Sequence, residues 1–146
     1  MESSDFREEF IRLARVMDGC VHRMVDPVAR QECGLSPQQM SVLATLRLEP
    51  GMPSGEASDR AGILRTNFAQ ICRRLEEEGC VERRRADDDR RVMRLYLTEK
   101  GEELVDAFNR EIDGRFEQMC AGEPPEEFDR AVEGLRSVRE FLERLS

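Results

Sequence analysis

Residues 75–101, LEEEGCVERRRADDDRRVMRLYLTEKG, constrain the fold of this chain more than any other stretch. They predict a helix end, a short strand, a charged hairpin tip and a second strand that leads into another helix. Gly79 is placed to stop the first helix in a left-handed conformation. Cys80 and Val81 on one side, and Val92 to Leu97 on the other, supply β-favouring residues around the Ala86 to Arg90 turn. The tip itself, Asp87-Asp88-Asp89-Arg90-Arg91, has nothing to bury. It must project into solvent or onto a charged partner.

The stretch before it reads as helices. Ser36-Pro37-Gln38-Gln39 is a strong helix start, with Ser at the cap, Pro in the first turn and Gln39 placed to return a hydrogen bond to the cap residue. That helix should run to about Leu46, with Met40, Leu43 and Ala44 inward, and close at Glu49-Pro50-Gly51. A short helix follows from Ser54 through Ala57 to Ala61, ending at the Gly62 turn. The next helix, about Leu64 to Glu78, places Phe68, Ile71, Cys72 and Leu75 on one face. Arg65, Asn67, Gln70, Arg73 and Arg74 fall mainly on the other. No strong side-chain cap precedes it, so its start is defined only to within a turn. Short helix, glycine turn and longer helix are helix-turn-helix organisation, and the hairpin behind them completes a winged helix.

Amphipathic helices flank this lobe. Ser3, Ser4 or Asp5 can cap a first helix whose apolar residues Phe6, Phe10, Leu13, Met17, Val21 and Met24 form a stripe to about Val25. Asp26-Pro27 is expected to bend or interrupt it. Thr98 can cap a long helix striped by Leu104, Phe108, Ile112, Phe116 and Met119. Ala121 to Pro125 then breaks the pattern before a last helix with Phe128, Ala131, Leu135, Val138, Leu142 and Leu145. These faces exceed what a small winged helix needs for its own core, and a symmetric dimer would cover them. The expected fold is therefore mainly α with a small β-wing, as a single chain. Residues 35–98 form the winged helix-turn-helix lobe, and residues 1–33 and 104–146 supply dimerisation helices.

Composition narrows the function. A chain of 146 residues suits one domain, and the net charge of −8 is unevenly placed. From Arg60 to Arg94 ten arginines face seven acidic residues, so this segment is +3 and the remainder is −11. Basic charge sits where the helix-turn-helix and hairpin are, and the acidic remainder would repel stray DNA. No run approaches a membrane span and MESSDFREEF lacks the features of a signal peptide, so a cytoplasmic location is expected. Cys20, Cys33, Cys72, Cys80 and Cys120 show no C-x-x-C spacing, and His22 is the only histidine. A metal or haem site is not expected, and neither is any cofactor. Without a glycine-rich phosphate loop or a paired-histidine motif, the chain does not read as an enzyme.

The ordered motifs resemble those of the MarR family of bacterial transcriptional regulators. The recognition helix ends in Leu75-Glu76 with Gly79, followed by Val81 with Arg83, Asp89 with Arg91 at the wing tip, and Leu97-Thr98 with Gly101 opening the next helix. The motifs run from about Leu35 to Leu104, and the helix order matches towards both ends. The resemblance implies a homodimer that binds double-stranded DNA and is released by a small aromatic or phenolic ligand lodged between the dimerisation helices and the DNA-binding lobe. It also implies repression. Asp89 and Arg91 match the family's wing pair, in which the aspartate holds the arginine side chain. Asp87 and Asp88 depart from it in charge, and Gln70 stands where relatives often carry a basic residue.

The side chains themselves point the same way. Asn67 and Gln70 can make paired hydrogen bonds to adenine and Arg65 to guanine, with Thr66 as a helper. Arg73 and Arg74, further along the helix, suit phosphates. Arg90 or Arg91 at the tip suits the narrow minor groove, where negative potential is concentrated. Two alternatives share the fold. In one, Cys20 beside Arg23 and His22 is a thiol sensor of oxidants. In the other, the winged helix binds protein and never touches DNA, as the acidic total and the Asp-rich tip allow.

Overall fold

The computed structural model describes residues 2–146. In chain order the elements are α1 (Ser3–Glu32), α2 (Pro37–Leu48), β1 (Met52–Pro53), α3 (Ser54–Ala61), α4 (Arg65–Glu77), β2 (Val81–Arg85), β3 (Met93–Leu97), α5 (Glu99–Cys120) and α6 (Pro125–Leu145). The chain is mainly helical with a small antiparallel sheet, the architecture that the sequence predicts. One compact unit extends to Asp113, and a second comprises Gly114–Ser146.

Helix α1 departs from expectation at both ends. Its cap is Glu2, with no side-chain cap bond, and not Ser3, Ser4 or Asp5. It also runs uninterrupted through Pro27 to Glu32, where a bend or an interruption was expected. Proline removes one backbone donor from the helix, yet Val28 and Ala29 directly behind it are fully buried. Packing of that turn overrides the local preference. Helix α2 starts as its sequence dictates: Ser36 Oγ accepts from the Gln39 N–H at 3.1 Å, and Gln39 Oε1 accepts from the Ser36 N–H at 2.9 Å. It buries Met40, Val42, Leu43 and Leu46, so more than one face of this helix is covered, and it continues to Leu48. Arg47, near its end, reaches α5, donating to Asp106 Oδ1 at 2.7 Å and to the Glu102 carbonyl at 3.3 Å.

The connection from α3 to α4 is clasped from inside. Gly62 adopts φ +67° and ends α3, while the buried Ser58 hydroxyl donates to the Ile63 carbonyl at 3.0 Å. The Ile63 N–H returns a bond to the Ser58 carbonyl at 3.2 Å. These bonds hold the turn at a fixed angle and pair the Ile63 N–H and carbonyl within the corner.

The sheet has three strands in the order β1-β3-β2, where the sequence predicted only the two of the wing. β1 pairs Met52 with Leu95 and Pro53 with Arg94. A two-residue strand has no alternation to detect, which is why it was missed. The wing pairs run from Val81 with Leu97 to Arg85 with Met93. Cys80 lies outside the strand because its N–H donates to the Leu75 carbonyl and its own carbonyl accepts from the Thr98 N–H. Thr98 then caps α5, its Oγ1 accepting from the Gly101 N–H at 3.2 Å. At Gly101 a Cβ would overlap the Cys80 carbonyl oxygen, so only glycine permits this approach of helix to strand.

Phe68, Leu43, Leu46, Met52, Leu75 and Leu95 are the largest side chains of the first unit's core. In the second unit α6 buries no residue, and Phe128, Val132, Leu135 and Leu145 stand exposed along it.

Candidate nucleic-acid interface

Helix α4 presents a sharply divided surface. Phe68, Cys72 and Leu75 are buried and Ile71 is half-buried, which fixes the rotation of the helix on the core. Arg65, Thr66, Asn67, Gln70, Arg73 and Arg74 are all exposed. The structure thus brings the six candidate residues of this helix onto its outer surface. Thr66, Asn67, Gln70 and Arg73 make no side-chain hydrogen bond or ion pair among the described residues. Arg65 is turned back, with Nη2 at 3.7 Å from Asp59 Oδ2 and its guanidinium over Gly55. Arg74 Nε lies 3.4 Å from Glu78 Oε1. Both are exposed pairs of the kind that contribute little to stability, and a phosphate can displace the carboxylate.

The wing tip is ordered by its own charges. Asp89 accepts from the Arg91 backbone N–H at 3.0 Å, from Arg91 Nε at 3.1 Å and from Arg91 Nη2 at 3.2 Å. These bonds from Arg91 hold the Asp89 carboxyl below the usual aspartate range, so the pair persists at every pH near neutrality. Arg91 keeps 91% of its side-chain surface in solvent. On the other side of the tip Arg85 Nη1 donates to the Arg90 carbonyl at 2.8 Å, leaving the Arg90 side chain outside. Ala86 N–H to Val92 O closes the hairpin, and Ala86 itself is buried.

Sequence reasoning gave no role to three arginines that shape this surface, although Arg83 stood in the wing motif. Arg83 Nε donates to Glu76 Oε2 at 2.9 Å and ties the wing to α4. Arg84 is held by Glu82 and lies over the Tyr96 ring, 4.6 Å from its centre. Arg94 Nη1 donates to the Gly51 carbonyl at 3.0 Å, joining the wing strand to the β1 edge. Consecutive arginines in a strand alternate faces, but their spacing alone does not say which face meets the helix.

The thiols divide into two kinds. Burial pushes Cys72 up to about 11, and raises Cys80 and Cys33 as well, so these remain neutral thiols. Cys20 on α1 is half-buried, with Arg23 Nη2 at 3.9 Å from its sulfur. His22 pairs instead with Asp26 at 2.6 Å. Among the described residues no group of His, Cys, Asp and Glu is arranged to hold a metal ion, and no helix is long and apolar enough to cross a membrane.

Known proteins resemble this chain in sequence and in fold. The family model described as the MarR family matches residues 34–92, which span α2 to the wing tip. The transcriptional repressor MprA of Escherichia coli (strain K12) is 33% identical over 108 residues, 69% of this chain and 60% of that repressor. The chain therefore spans less than two thirds of the length of that repressor. Streptococcus pneumoniae FabT, solved in complex with DNA, superposes with a TM-score of 0.73 at 23% identity, covering 97% of this chain and 99% of FabT. A MarR family protein from Bacillus stearothermophilus superposes with a TM-score of 0.83 at 20% identity over 97% and 99% of the two chains. At these identities the superpositions establish the fold.

Proposed function

This chain belongs to the MarR family, and we propose that it is a dimeric DNA-binding transcriptional repressor of the cytoplasm. One observation carries this reading: α4 is seated by Phe68, Cys72 and Leu75 and turns Asn67, Gln70 and Arg73 outward without partners among the described residues. Buried polar groups would need partners within the fold, whereas these are free to meet base edges and phosphates. The helix enters the major groove by its N-terminal part, Asn67 and Gln70 pair with adenine, Arg65 swings from Asp59 to guanine, and Arg73 and Arg74 grip phosphates. Arg91, preset by Asp89, approaches the minor groove together with Arg90.

A dimer with reading helices about 34–36 Å apart recognises a roughly palindromic operator. A small aromatic or phenolic ligand that prefers a different separation of those helices releases the protein, by no more than its differential affinity for the two states. MprA, a repressor by name, and FabT, solved on DNA, support the class of activity.

The reading is tested by fluorescence anisotropy of the duplex immediately upstream of the protein's own gene, at two salt concentrations, against a scrambled duplex. Selective binding that weakens steeply with salt is expected, through counterion release from phosphates. Equal, weak binding to that duplex, its scrambled control and a random-sequence pool would reject it.

Two substitutions separate the parts of the interface. Gln70→Ala should lose about 1–3 kcal/mol of discrimination at one base step per half-site and leave non-specific affinity nearly intact. Equal loss on every sequence would remove Gln70 from base reading. Arg91→Ala should weaken binding to all sequences and reduce the salt slope by about 1. An unchanged Kd at moderate salt would take the wing out of the interface.

A further inference from the structure

Leu64 is out of place by every local rule. It is the cap residue of α4, a position where Ser, Thr, Asn or Asp would satisfy a free backbone N–H, and it makes no cap bond. Leucine gives the helix start nothing. Nor does it serve the core, because 74% of its surface is in solvent, while its neighbour Ile63 is buried. Among the large apolar residues described, only Leu48 is more exposed. The buried Ser58 clasp on Ile63 fixes the corner, so the position of Leu64 is set by the turn rather than by a flexible loop.

Leu64 directly precedes Arg65, Thr66 and Asn67, at the end of the helix that leads into the major groove. That groove displays one apolar group, the C5-methyl of thymine. We propose that Leu64 is a specificity-determining residue that packs on a thymine methyl in each half-site; this rests on the DNA-binding reading of α4. The side chain needs no partner in the free protein because its partner is on the DNA. Burying a methyl against it favours thymine over cytosine, whose C5 bears hydrogen, and adds an apolar contact to the polar code of Asn67, Gln70 and Arg65.

The test uses the full chain and in vitro selection from a random duplex pool, followed by replacement of each selected thymine with deoxyuridine, which deletes only the methyl. For the wild type, one deoxyuridine in a single half-site should weaken binding about three- to fivefold, the scale of one buried methyl group, and one in each half-site about ten- to twenty-five-fold. Leu64→Ala should bind the thymine and deoxyuridine duplexes equally, and Leu64→Met should keep a preference for thymine. If no thymine is sensitive to loss of its methyl, or if Leu64→Ala keeps the wild-type sensitivity, the inference is overturned and the DNA-binding reading stands. Failure of the wild type to enrich any sequence would overturn both.

Discussion

Replacing Gly101 with alanine will lower the melting temperature by roughly 4–10 °C, the scale of about 1–3 kcal/mol of overpacking in a chain of this size. The added Cβ would overlap the Cys80 carbonyl oxygen and crowd Leu97 Cβ. A side chain can rotate away from a clash, but here the obstacle is backbone. That carbonyl already accepts from the Thr98 N–H, so moving it would break the junction between α4, the wing and α5. A matched control is Gly114→Ala on the same helix, where nothing lies within 4 Å of the new methyl. There the greater helix propensity of alanine should leave stability unchanged or raise it by about 0.5–1 kcal/mol. Thermal melts followed by circular dichroism check both. Equal melting temperatures for Gly101→Ala and the wild type would mean that the junction yields more easily than its packing indicates.

On the proposed dimeric reading, Leu135→Glu should leave a monomer and reduce operator affinity about 10²–10⁴-fold, because the second half-site contact loses its effective concentration. Leu135 sits midway along α6, a 21-residue helix that buries none of its residues, although it carries an apolar stripe. Half of the Leu135 surface is exposed, and Val132 and Phe128 beside it on the stripe are similarly open. A monomer in water gains nothing from that arrangement, whereas a self-complementary contact would bury it. A carboxylate placed in such a contact lacks a partner and must be desolvated. Sedimentation velocity would report the mass, and anisotropy the DNA affinity, with circular dichroism confirming that the helices remain. A dimer that persists with unchanged affinity would move the interface off α6.

How far the sequence could be read depended on how local each cause was. The α2 capping box, the Gly62 turn and the Thr98 cap are decided by residues within a few positions of one another, and all were legible. The divided surface of α4 follows from the helical period, which places Phe68, Cys72 and Leu75 opposite Asn67 and Gln70. Where the cause was distant, the reading failed. Pro27 was expected to bend or interrupt α1, but burial of Val28 and Ala29 carries the helix onward without a break. The β1 strand exists because Leu95 lies beside Met52, 43 positions away in the chain, and two residues leave no pattern to find.

The candidate site divides in the same way. Residue types and spacing marked Arg65, Thr66, Asn67, Gln70, Arg73 and Arg74, since exposure on a helix follows from its periodicity once the apolar face is known. Their states did not follow: Arg65 is drawn to Asp59, Arg74 lies near Glu78, and Asn67 and Gln70 stand free. Nor did the sequence reveal that Arg83 anchors the wing to Glu76, or that Arg47 reaches Asp106 from α2. By itself the sequence determined the order of the helices, the winged helix and the face of α4 that meets solvent, because these are set by periodicities and caps within a turn or two. Tertiary structure alone decided which charges pair, why Gly101 must lack a side chain and where Leu64 is left uncovered, because each depends on atoms that only folding brings within a few ångströms.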